Sequence, residues 1–181
     1  MDLDQTRQAE PRSDASFSEA RHVLWQHIKH SRFGMLTTFD RELGVLRSRP
    51  MTNQDTGDEF DGELWFITAE DGAVAREVSD EPEVNISYAK PDDNSFVSVS
   101  GRATLVEDRA RIHALWSPLY KAWFSQGPDD PNIVLLRVKV SDAEYWDGPS
   151  NKVTQLFAMA RSALGGKPAS QMGEHARIHN A

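Results

Sequence analysis

The chain has 181 residues, no cysteine, and a formal charge of −8 with a pI near 5.2. That length suits one domain with a full core, and the acidic balance excludes broad nucleic-acid binding, which needs clustered Lys and Arg. Any phosphate site must therefore be local, and without thiols any redox chemistry must come from a cofactor.

The first residues, Met1 to Glu10, carry neither the apolar core nor the basic flank of a signal peptide. No window has the ~18 apolar residues that span a bilayer. The expectation is a cytoplasmic protein with a polar, disordered segment over 1–15, one domain over 16–164 and a loose tail over 165–181.

Ser16-Phe17-Ser18-Glu19 fits a capping box, and Ala20, Val23, Leu24, His27 and Ile28 follow at helical spacing, predicting an amphipathic helix that ends near His30. From Phe33 the period becomes two, with Phe33, Met35, Thr37 and Phe39 on one face. Asp40 to Gly44 turns the chain into a strand through Leu46-Arg47-Ser48-Arg49-Pro50-Met51. Alternation puts Arg47, Arg49 and Met51 on one face of that strand and Leu46, Ser48 and Pro50 on the other. A polar loop, Asn53 to Gly62, leads to a strand over Glu63–Thr68, and Glu70-Asp71-Gly72 opens a short helix, Ala73–Ser79, with Ala73, Val74 and Val78 on its buried side.

Strands are predicted over Glu83–Ala89 and Ser95–Glu107, the second interrupted at Gly101, which marks a bulge or a close backbone approach. Arg109 to Phe124 has the pattern of one helix, on which Trp116 and Trp123, seven apart, share a face. Ile133–Val140 and Ala143–Asp147 are two further strands, and Asn151–Leu164 is an amphipathic helix. Six or seven mostly antiparallel strands with few helices argue for a mainly β protein, a barrel with peripheral helices.

Two cations and a hydroxyl on one strand, followed by Leu64-Trp65-Phe66-Ile67-Thr68 on the next, supply what an anionic, planar, phosphate-bearing ligand requires, and a flavin is the natural candidate. Each segment alone has a plainer reading: Arg-x-Arg as a solvated strand edge, Leu-Trp-Phe-Ile as core. His175 and His179, four apart, would share a side of one helical turn beside Glu174. Without a third ligand a solvated tail is the better reading, and no metal site is assigned. The acidic run Asp55, Asp58, Glu59 and Asp61 reads as a solvated loop. No Ser-His-Asp arrangement follows from spacing.

In order, Gly34-Met35-Leu36-Thr37-Thr38, Arg47 to Met51, Leu64 to Thr68, Glu83-Val84-Asn85-Ile86-Ser87-Tyr88, Phe96-Val97-Ser98-Val99-Ser100-Gly101 and Ala143-Glu144-Tyr145-Trp146-Asp147 resemble the FMN-binding split-barrel superfamily typified by pyridoxamine 5'-phosphate oxidase. More narrowly, the chain resembles the general stress protein 26 family, from about Arg21 to about Leu164. The resemblance implies a homodimer with FMN, or alternatively FAD, at the subunit interface. It places Arg47, Ser48, Arg49, Pro50 and Met51 along the flavin, with Trp65, Phe66, Ile67 and Thr68 continuing that wall. Arg76 stands for the family's usual phosphate-binding Lys, and Trp116 and Trp123 are candidates to close over a partner's flavin ring.

Tyr145-Trp146-Asp147-Gly148-Pro149 stands where the oxidases have a Trp-Arg-Leu-x-Pro type segment, and an Asp there repels a phosphorylated substrate, which argues against vitamin B6 phosphate turnover. Three functions share this reading: a flavin-dependent oxidoreductase with a small-molecule electron donor, a flavin-storing or flavin-sensing module, and a split-barrel enzyme using deazaflavin F420 or haem.

Overall fold

The computed structural model describes residues 14–31, 33–54, 57–147 and 174–179, with backbone alone at residues 14–18, 174–177 and 179. The expected helix over Asn151–Leu164 lies outside what is described, and the first helix already includes Asp14 and Ala15, so its backbone puts Ser16 inside the helix rather than at its N-cap. Helix α1 (Asp14–His30) leads into the antiparallel hairpin β1 (Gly34–Asp40) and β2 (Val45–Met51), then β3 (Glu63–Ala69), α2 (Ala73–Asp80), β4 (Glu83–Lys90), β5 (Ser95–Val106), α3 (Arg109–Leu115), β6 (Ile133–Asp147) and β7 (Glu174–His179).

These strands form one antiparallel sheet in the order β2-β1-β4-β5-β6-β3, with β7 added beside β3 along the same edge of β6. The 15-residue β6 holds the sheet together. Leu135–Asp147 pairs with β5, while on the other edge Ile133–Lys139 pairs with β3 and Asp142–Asp147 with β7. The two strands expected here are therefore one, interrupted where Ser141 is passed over between the Ser100–Asp142 and Gly101–Val140 pairs. Gly101 fills its expected role, because a Cβ there would overlap the Lys139 carbonyl oxygen.

Curling of the sheet leaves β2 and β3 as its two terminal strands, a split barrel. Just past β2 the chain touches β3: the Gln54 N–H donates to the Trp65 carbonyl at 2.7 Å, and the Trp65 N–H to Asn53 Oδ1 at 3.0 Å. Leu24, Trp25 and Ile28 of α1 join Leu36, Leu64, Phe66, Ile86, Val99 and Val138 in the main core. Trp25 stacks on Phe60, with centroids 5.4 Å apart, and donates to the Gly57 carbonyl at 2.8 Å, so α1 pins the loop before β3.

A second, smaller cluster lies under α3 and joins Trp65, Ile67, Ile112, Phe124, Ile133 and Leu135. The single helix expected over Arg109–Phe124 is broken. It stops at Leu115, Trp116 and Ser117 are extended, and a 3-10 turn covers Pro118–Ala122. Pro118 has no N–H to continue the ladder and its ring drives Ser117 out of the helical region, to φ −117° and ψ 140°.

Within the segment expected to be a loose tail, Glu174–His179 pairs with β6 as a strand. As a strand it sets His175 opposite Trp146 and His179 opposite Asp142, about 13 Å apart at strand rise, so they cannot share one metal ion.

Candidate functional site

The hairpin β1–β2 places its alternating side chains on two faces. Outward, Thr37 and Ser48 are cross-strand partners whose hydroxyls meet at 2.7 Å, and Asn85, Ser98 and Ser100 continue a hydroxyl and amide ladder onto β4 and β5. Around it lie exposed apolar side chains, among them Phe33, Met35 and Leu46. On the inward face β1 sets Leu36 opposite Arg49 and Thr38 opposite Arg47, and it buries Thr38 and Asp40 where a core strand would carry apolar groups.

The inward face is a charge cluster. Glu77 of α2 has its side chain only 2% exposed. Its Oε2 accepts from Arg49 Nη2 at 2.6 Å and from the Thr38 hydroxyl, and its Oε1 lies 3.7 Å from Arg47 Nη1. Arg49 Nη2 also donates to Thr38 Oγ1 at 3.2 Å, closing a triangle. Arg47 Nη1 donates to Asp40 Oδ2 at 3.2 Å. Asp40 is aligned by the turn that follows it. The Leu43 N–H donates to its Oδ1 at 3.0 Å and, with Arg47, holds the carboxyl below the usual carboxylate range. Arg47 keeps 46% of its side chain exposed against 21% for Arg49, whose buried Nη1 has no hydrogen-bond partner among the described residues.

The sequence motif is thus divided by the strand. Arg47, Arg49 and Met51 face inward while Ser48 and Pro50 face outward, so a ligand meets all five only along the β2 edge that is left unpaired among the described residues. The ring wall expected from β3 does not present its rings. Trp65, Phe66 and Ile67 are buried within the chain, and the Trp65 ring already carries the Arg111 guanidinium 3.6 Å from its centroid. What β3 offers a ligand is the half-buried Thr68, since the Trp65 N–H and carbonyl are already bonded to Asn53 and Gln54.

Arg76 is exposed and separate from the arginine pair. It lines a shallow cleft with Glu70, Asp71, Gly72, Ala75 and Ser79, and the two carboxylates oppose a phosphate there. Nor do Trp116 and Trp123 share a helical face. Trp116 turns into the second cluster, 5.7 Å from the Tyr120 ring and 6.5 Å from Phe124, while Trp123 is 75% exposed.

Two groupings escaped the sequence. Glu77 falls at i+3 from Val74 and one before Val78, so an acid lay in the apolar stripe of α2, which is the signal that points to it. The second is at the far end of the barrel, where a cleft of about 470 Å³ contains His27, Ser95 and Asp147. Ser95 Oγ lies 2.8 Å from His27 Nδ1 and Asp147 Oδ2 3.9 Å from His27 Nε2. The serine is 8% exposed and the His–Asp separation exceeds a hydrogen bond, so the trio ties α1 to β5 and β6 rather than presenting a nucleophile.

The model of a family described as "Pyridoxamine 5'-phosphate oxidase like" matches residues 19–169. Protein bli-3 of Neurospora crassa is 30% identical over 176 residues, 92% of this chain and 83% of its own. The crystal structure of a putative general stress protein 26 from Jannaschia sp. CCS1 superposes with a TM-score of 0.70, over 90% of this chain and 99% of that one, at 25% identity. That of the general stress FMN/FAD binding protein from Xanthomonas citri superposes with a TM-score of 0.62, over 71% and 89%, at 32% identity.

Proposed function

The chain belongs to the pyridoxamine 5'-phosphate oxidase-like family, in the general stress protein 26 branch of the split-barrel fold, and from that premise we propose that it binds a flavin at the split between β2 and β3. The observation that carries the reading is the pair Arg47 and Arg49, two guanidinium groups on one face of a strand that ends the sheet of described residues, in a chain of charge −8. A local cationic pair of this kind selects a phosphate against a globally repulsive field. Arg47 offers the more exposed fork, Arg49 is held behind it, and the half-buried Thr68 supplies a hydroxyl across the split.

When bound, a flavin supplies hydride and electron transfer at its N5. The protein's part is to hold the phosphate, orient the ring and limit water. No acid–base residue is required for that, so an oxidoreductase and a flavin-storing module share these groups. FMN is favoured over FAD because the arginine pair matches one terminal phosphate.

The assembly that suits this surface is a homodimer. The β2 edge, unpaired among the described residues, and the exposed Phe33, Met35 and Leu46 call for cover, and the 75% exposed Trp123 offers a ring to a second copy's flavin. Light scattering is expected to give twice the 20.3 kDa chain mass.

The absorption spectrum of the purified protein, with the chromophore extracted and identified, tests the reading. An oxidised-flavin spectrum with FMN in the extract supports it. A deazaflavin or a Soret band contradicts it, as does failure of the apoprotein to take up FMN. Anaerobic mixing with NADH or NADPH then separates a reductase, which bleaches and recovers in air, from a storage module, which does not bleach.

A further inference from the structure

We propose that Glu77 is the positioning residue of the anion site: one buried carboxylate that sets the spacing and direction of both arginines, an inference that rests on the flavin reading above. Arg47 and Arg49 lie two residues apart on one strand face, so their backbones are about 7 Å apart and their like charges repel. Left alone, two such side chains swing apart into water. Glu77 stands between them, with Oε2 on Arg49 and Oε1 toward Arg47.

The surroundings fix the carboxylate in turn. Thr38 hydrogen-bonds the same oxygen that Arg49 uses, and α2 is locked by Val74 and Val78 in the main core. Arg47 has a second tether in Asp40, whereas the described hydrogen bonds of the Arg49 guanidinium run only to Glu77 and Thr38. The consequence is an order of dependence, with Arg49 relying on Glu77 more than Arg47 does.

A role in stability alone explains this arrangement poorly. Burying an acid in the apolar stripe of a helix carries a large desolvation cost, and buried ion pairs replaced by apolar side chains often leave stability unchanged or improved. A carboxylate that aligns two cations for a third party accounts for the placement, much as groups behind a ligand-binding side chain fix its orientation.

Apoprotein of the wild type, Glu77→Gln and Glu77→Asp, each titrated with FMN and with riboflavin, tests this. Riboflavin lacks the phosphate, so the ratio of the two affinities isolates the anion site from general damage. Glu77→Asp keeps the charge and withdraws the carboxylate by one methylene. Glu77→Gln keeps the shape and removes the charge. The expected result is an FMN affinity at least about tenfold weaker in both, with riboflavin nearly unchanged; if Glu77→Gln does not fold, the aspartate variant carries the test.

Equal losses for the two ligands overturn the inference, as does an FMN affinity in Glu77→Gln that is unchanged or tighter, which makes Glu77 a counter-charge and nothing more. Arg47→Ala and Arg49→Ala separate this failure from that of the flavin reading. If those variants weaken FMN and the Glu77 variants do not, only the positioning role fails. If none of them alters FMN, the anion site itself is wrong and the inference falls with it.

Discussion

Arginines are held in opposite ways on the two sides of β3. Toward the split, Arg47 and Arg49 meet carboxylates, Asp40 and Glu77, in a cluster of two cations and two anions. Toward α3, Arg111 lies on the face of Trp65, and Arg137 approaches the same ring at 5.9 Å. Cation and ring, which the sequence suggests for a single ligand, are here separated into a charged region at the barrel's opening and an aromatic region closed within the chain. A ring next to a cation in sequence order therefore marks a ligand wall only if the ring is left uncovered, and Trp65 is 4% exposed.

If the aromatic region is structural, breaking it harms the fold and spares the ligand. Trp65→Ala is expected to cost about 3–5 kcal/mol of stability, as for a large buried aromatic, read from denaturant midpoints. Its FMN affinity, measured where the variant is still folded, is expected to stay at the wild-type value. A large affinity loss with little loss of stability would return Trp65 to the ligand wall. Arg111→Ala sharpens the same point at smaller scale, with an expected loss of about 1 kcal/mol for a partly desolvated cation–π contact.

The two regions also separate along the pH axis. The Asp40 carboxyl is held below its reference value of 3.8, so its contribution is present in full at neutral pH and is lost as pH falls through the depressed folded value. Tyr120, in the aromatic region, is raised above 10.0 by burial, so stability falls as pH rises past 10.0 and the unfolded chain loses the proton first. Thermal melts across pH are expected to show Asp40→Asn flattening only the acid limb and Tyr120→Phe flattening only part of the alkaline limb. Tyr88, buried in the main core and also raised by burial, acts in the same direction on that limb. An effect of Asp40→Asn on the alkaline side would mean that the regions are coupled.

Much of the barrel is legible in residue order because strand alternation is local. The two-residue period places Arg47 and Arg49 on one face, and a glycine inside the Ser95–Val106 strand announces the close approach beside the bulge at Ser141 of β6. Pro118 announces the end of α3 as well, but the helical spacing of Leu115, Leu119 and Trp123 continues through it and outweighs one residue in a pattern reading. The β7 strand gives little signal, since backbone pairing with β6 creates it rather than an apolar stripe.

The site is less legible than the fold for the same reason. Glu77 meets Arg49 across 28 positions, and His27 meets Ser95 across 68. Such contacts exist only after the chain has closed. Within α2, Glu77 is an acid among Val74, Ala75 and Val78, which reads as a surface residue until its partner arrives from β2.

Titration of FMN into apoprotein of the wild type and of Arg49→Ala, followed by flavin fluorescence, tests the central claim most directly. Charge-assisted bonds to phosphate are worth about 1.5–3 kcal/mol each, so the account predicts an FMN dissociation constant raised roughly ten- to hundredfold, with a further rise in the Arg47→Ala, Arg49→Ala double variant. A dissociation constant unchanged in both single variants and in the double variant would contradict it and move the flavin away from β2.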